Sequence, residues 1–130
     1  SLSDDILTPR LLADTEIKLD EIDETLVERI ESLAPFGEKN PQPIFVSRGV
    51  QVVRMMPVGR EDKHLKLALC DKMGDKTWEA IGFGYGHLLE ELAVGDRMDI
   101  AYELGMNVWN GYRNVQLRLV DVKLQITSTK

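Results

Sequence analysis

Side chains that could carry out a reaction are sparse in this 130-residue chain, and their spacing argues against catalysis. His64 follows Lys63 and His87 follows Gly86, so neither histidine stands in a metal-ligand motif. The single cysteine, Cys70, ends an alternating apolar pattern, where a thiol is more often a small buried hydrophobe than a nucleophile. Gly82, Gly84 and Gly86 invite a phosphate-loop reading, because glycine lets backbone amides approach an anion. No Lys-Ser/Thr pair follows them and the GxGxxG order is absent, so bends in a curving strand account for them better.

Charge divides the chain unevenly. Residues 1–35 carry ten acids against Arg10, Lys18 and Arg29, a net −7. Residues 36–130 carry thirteen bases against twelve acids, a net +1, so the overall −6 conceals a second part able to present a locally basic face. The length suits one domain with an appendage. One cysteine offers no disulfide framework, and no apolar run reaches membrane-spanning length, so we expect a soluble cytoplasmic protein that meets no membrane.

The elements that must position any site follow from periodicity. Residues 1–35 read as an acidic lead-in. Glu16-Ile17-Lys18-Leu19 alternates as a short strand would, and a helix is expected to open near Asp20, with Asp23 in its first turn. Ile22, Leu26, Ile30 and Leu33 would share one apolar face, which must cover the following domain, a neighbouring domain or a second copy of the chain. Pro35, Pro41 and Pro43 with Gly37 and Asn40 then exclude both helix and strand. Phe36 and Phe45 frame this hinge as packing anchors, with Pro41 stiffening it.

From Ile44 the period approaches two. A first strand slips phase by one residue between Val52 and Val53, as at a bulge. A turn over Val58 to Lys63 leads to His64–Leu69, with Leu65, Leu67 and Leu69 inward and His64, Lys66 and Ala68 outward. Met73-Gly74-Asp75 reverses the chain. Lys76 to Tyr85 makes a third strand, with Ile81 and Phe83 inward and Trp78 and Ala80 on the opposite side. His87 to Ala93 is a short helix. Arg97 to Asn107 and Tyr112 to Gln125 are two further strands, the latter with a second phase slip, joined through Asn110-Gly111, a strong hairpin signal. Tyr85 and Tyr102 read as packing groups.

This order predicts a mainly β fold: a five-stranded OB-fold, a Greek-key barrel, with a short helix between strands three and four, occupying residues 36–126 after the helical lead-in and before a 127–130 tail. The hinge, Leu33-Ala34-Pro35-Phe36-Gly37-Glu38-Lys39-Asn40-Pro41-Gln42-Pro43-Ile44-Phe45, resembles the LxPFGxxNPxPxF signature of bacterial RecJ single-strand-DNA exonucleases where their OB domain begins. His64-Leu65-Lys66-Leu67, Ala80-Ile81-Gly82-Phe83 and Asn107-Val108-Trp109-Asn110-Gly111 with Val115-Gln116-Leu117 are similar to the same family in the same order, over about residues 12 to 124. The resemblance implies a parent enzyme of the DHH phosphoesterase type, acting 5′ to 3′ in DNA repair and recombination. Such enzymes need clustered Asp and His residues on two metal ions, Mn or Mg. This chain has no such cluster in its sequence, so it reads as the OB domain without the nuclease core, not itself an enzyme and without a cofactor of its own.

What the resemblance implies for this portion is single-stranded DNA binding, with cations along the backbone and aromatics stacking on bases. The candidates are Arg60, Lys63, Lys66, Lys72, Lys76, Arg113 and Arg118, with Trp78, Trp109 and Tyr112. Isolated strand cations are often solvated edge charges, Trp109 could instead plug the barrel end, and Trp78 would be core if the third strand's phase shifts by one. The alternative function is a structural and protein-interaction module, whose Ile22, Leu26 and Ile30 face docks on the nuclease core or pairs two copies as a homodimer.

Overall fold

The computed structural model describes residues 16–37, 41–71 and 76–125. Its elements are a helix α1 (Glu24–Glu31) and five strands: β1 (Phe45–Val58), β2 (His64–Cys70), β3 (Trp78–Gly82), β4 (Arg97–Trp109) and β5 (Tyr112–Leu124). Short 3-10 turns lie at Leu19–Glu21, Arg60–Asp62 and Gly86–Glu90. The strands close into a barrel in the order β1-β2-β3-β5-β4, with β3 and β5 parallel and the other neighbours antiparallel. The expected five-stranded OB-type barrel is what forms. Among the described residues no helix is long and apolar enough to cross a membrane.

Both phase slips are bulges. On β1 the pairing steps from Val52↔Leu69 to Arg54↔Ala68, leaving Val53 as the additional residue. On β5 it steps from Ala101↔Asp121 to Tyr102↔Leu119, leaving Val120. Each bulge moves the apolar set to the other phase, so one strand can face the core along its whole curved length. A further irregularity at Arg48 and Gly49 is held by Gly49 N–H donating to Asp99 Oδ1 at 2.8 Å, while Arg48 reaches Glu16 at 3.3 Å and Asp99 at 3.5 Å.

The third strand reverses the expected phase. Leu67 pairs with Ala80 and Leu69 with Trp78, and directly paired residues share a face, so Trp78 and Ala80 join the inward leucines. Trp78 is 5% exposed within the core cluster, whereas Phe83, beyond the end of the strand, is 63% exposed. Ala80 and Ile81 are adjacent and both apolar, so alternation could not choose between the two phases; pairing with β2 decided it. Ala68 faces outward by register, yet neighbouring side chains cover it.

The lead-in also departs from expectation. Glu16–Leu19 forms only one parallel bridge, Glu16↔Val46, and the chain then enters the first 3-10 turn. The Asp71 carboxylate accepts from Leu19 N at 3.1 Å and Asp20 N at 2.8 Å, which holds that turn and delays the helix to Glu24. Asp23 is its cap rather than a first-turn residue: its side chain accepts from Leu26 N at 2.8 Å. Val27 and Ile30 are the buried helix positions, Ile22 is buried ahead of the helix and Leu26 is half-buried, while Leu33 is 55% exposed. Leu19, Ile22, Val27 and Ile30 belong to one core cluster with Met98, Ile100, Tyr102 and Leu104 of β4. The apolar stripe therefore covers this chain's own barrel. Phe45 is buried with its ring 6.1 Å from that of Tyr102, Phe36 is half-buried on the same core, and Pro41 is exposed.

Candidate nucleic-acid interface

Register lays out the barrel's outer face in rows. One row runs Met56, Lys66, Ile81, Arg118, Glu103, and the next runs Arg54, Ala68, Glu79, Gln116, Gly105. Lys66 and Glu79 are diagonal neighbours across β2 and β3, and Lys66 Nζ lies 2.8 Å from a Glu79 carboxylate oxygen. Beyond Gly105 and Gln116, β4 and β5 have no β3 partner and continue as a two-stranded ribbon.

The ribbon ends in the two-residue turn Asn110-Gly111. Their φ values of 52° and 82° are those of a type I′ turn, which suits the right-handed twist of the flanking strands and explains the Asn-Gly pair. The turn sets Trp109 opposite Tyr112, and both are open, at 69% and 72% exposed. Trp109 is thus a projecting aromatic and not a plug. Asn107 and Asn114 pair two residues further back, on the same face of the ribbon. With Lys66 and Glu79 these four side chains line a cavity of about 400 Å³.

A larger groove of about 750 Å³ continues from there, lined by Arg54, Met56, Lys66, Lys76 and Arg113 among others, with Asp23 and Glu24 of the lead-in at its edge. Lys76 Nζ lies 4.5 Å from the centre of the Trp78 ring, a cation–π contact. Trp78 itself lines this groove from within the core. The expectation of an outward Trp78 is corrected: the ring supports the groove and offers no open stacking face.

Of the sequence-derived candidates, Lys66, Lys76, Trp109, Tyr112 and Arg113 come together around these two cavities. Arg60 and Lys63 do not line them; they flank the β1–β2 turn, where Lys63 O accepts from Gly86 N at 2.9 Å. Arg118 lies outside both cavities, paired across the strands with Glu103. Lys72 lies outside the described residues. Arg54, Met56, Glu79, Asn107 and Asn114 were missed. For Arg54 and Met56 the signal was the Val53 bulge, which fixes both as outward; the two asparagines needed only the hairpin register counted back from Asn110-Gly111. Among the described residues no group of three or more His, Cys, Asp and Glu could hold a metal ion.

Residues 13–121 match the RecJ OB domain. The chain belongs to that family. The RecJ OB domain described here is 24% identical over 121 residues to the single-stranded-DNA-specific exonuclease RecJ of Bacillus subtilis, covering 93% of this chain and 15% of that protein. It is 29% identical over 121 residues to the RecJ of Haemophilus influenzae, covering 92% of this chain and 20% of that protein. A crystal structure of RecJ in complex with Mn2+ from Thermus thermophilus superimposes with a TM-score of 0.58 at 25% identity, over 80% of this chain and 14% of that one. The chain therefore spans a fifth or less of the length of these relatives.

Proposed function

We propose that this RecJ OB domain holds single-stranded DNA for a 5′ to 3′ exonuclease core in the same parent protein, acting in DNA repair and recombination in the cytoplasm. One observation carries the reading: an exposed Trp109–Tyr112 pair stands beside a groove bearing Arg54, Lys66, Lys76 and Arg113. Cations neutralise phosphates and aromatic rings stack bases of any identity, the combination by which OB folds take up single strands. Hydrolysis, with Mn or Mg, is assigned to the parent's core, since the described residues of this chain offer no ligand set for two metals. Ile22 and Ile30 are buried on the barrel, so that apolar face is not free to dock on the core or on a second copy of the chain.

The test is fluorescence anisotropy of a labelled single strand at low and moderate salt. Binding should weaken with salt at a slope of about 0.7 per phosphate contacted. Trp109→Ala should cost ~1–3 kcal/mol of binding free energy, the usual worth of one stacked base, and Lys66→Glu should weaken binding at every salt concentration. Absence of binding at micromolar protein in low salt would sink the reading for this chain.

A further inference from the structure

We propose that the cavity beneath the hairpin takes a guanine base, read by Glu79 and Lys66. This rests on the single-strand reading above and specifies which base the site prefers. A carboxylate is a costly neighbour for a phosphate backbone, yet Glu79 sits at the centre of the candidate face, sharing the roughly 400 Å³ cavity with Trp109 and Tyr112. That volume is at the size of a small-ligand site. The aromatic pair supplies a face for a base without choosing among bases. Choice falls to the polar groups that meet the base edge.

Those groups have a fixed polarity. A carboxylate only accepts hydrogen bonds, through two oxygens with about four lone-pair positions, and an ammonium only donates, through three hydrogens. The Lys66–Glu79 contact at 2.8 Å uses one of each, so both retain capacity toward the cavity. The pair thus presents two adjacent acceptors beside a donor. Guanine alone among the DNA bases has the complement on its Watson–Crick edge: N1–H and N2–H donate side by side, and O6 accepts next to them. Adenine and cytosine present one amino group beside a ring-nitrogen acceptor, and thymine presents one N–H between two carbonyls. Each would turn an acceptor toward the Glu79 carboxylate. Asn107 and Asn114, which can both donate and accept, also line the cavity.

The experiment uses the whole chain and labelled strands of about 12 nucleotides, within the span of one OB fold. One strand is all thymidine, three others carry a single central guanine, adenine or cytosine, and a fifth carries inosine there, which keeps O6 and N1–H but lacks the N2 amine. The guanine strand should bind about tenfold tighter than the thymidine strand, the discrimination of one good two-bond base contact, and inosine should forfeit most of that gain. Glu79→Gln, which replaces one acceptor oxygen by a donor, should bring the guanine-to-thymidine ratio close to one. Equal binding of the guanine and thymidine strands, or an equal gain from adenine or cytosine, overturns the guanine reading and leaves single-strand binding standing. Failure of every strand to bind overturns both. The inosine comparison needs no altered protein, so the proposal remains falsifiable even where the Gln variant folds poorly.

Discussion

Tyr102 shows how one side chain fastens the lead-in to the barrel. Ser47 Oγ donates to Ile17 O at 2.8 Å, and with its single hydrogen committed there it accepts from the Tyr102 hydroxyl at 2.7 Å. Both residues are fully buried, and burial pushes the Tyr102 hydroxyl far above its ordinary value. Folded protein therefore keeps a proton that unfolded chain loses above pH ~10. The stability from this tyrosine is complete below that pH and falls as pH rises further, because the folded state then binds more protons than the unfolded one. Tyr85, raised by its own burial and by nearby Asp121, acts in the same direction. Denaturant melts above pH ~10 should show this decline, and Tyr102→Phe should flatten it while costing about 1 kcal/mol near neutral pH for the lost hydrogen bond. An alkaline limb as steep in the Phe variant would count against Tyr102 as its source.

Among the elements, the corner from β3 into the 3-10 turn Gly86–Glu90 is the least tolerant of a side chain. A Cβ on Gly86 would lie 1.9 Å from Asp62 O, at the turn that leads into β2. Gly86→Ala must push the two segments apart, and we expect ~1–3 kcal/mol of destabilisation, read as a lower urea midpoint with an unchanged slope. Gly82 to Gly86 read as bends in a curving strand, but β3 ends at Gly82, and Gly84 and Gly86 lie in the turns beyond it; which glycine meets which backbone was not legible, because Asp62 is distant in sequence. The hairpin turn was legible, since Asn110-Gly111 satisfies a purely local demand on φ, but the strand before it runs on to Trp109, past the expected end at Asn107. Helix α1 was legible as an amphipathic segment, but Asp71 moved its start and Val27 replaced Leu33 on the buried face.

At the scale of the whole molecule, lead-in and barrel share one core. Leu19, Ile22, Val27 and Ile30 are buried together with β4 residues, and each such side chain is worth about 1.5–3 kcal/mol when withdrawn from water. A chain beginning at residue 36 should therefore lose much of its stability, expose the β4 surface beneath α1 and bind a hydrophobic dye, whereas the full chain should not. An unchanged thermal midpoint after truncation would show the two parts to be independent. The same docking brings Asp23 and Glu24 to the groove edge, so the acidic lead-in tempers the basic face instead of standing apart from it.

The order of residues was enough for the barrel's element order, its two principal bulges, the Asn-Gly turn and the family, because each rests on local dihedral preference, on the two-residue period or on a contiguous motif. Only folding in three dimensions settled that Trp78 is core, that the helix stripe covers its own barrel, and that Lys66 and Glu79 meet beneath Trp109 and Tyr112. Those outcomes depend on which strands pair and in what register. A register is fixed by contacts between segments far apart in the chain, and a shift of one residue exchanges the two faces of a strand.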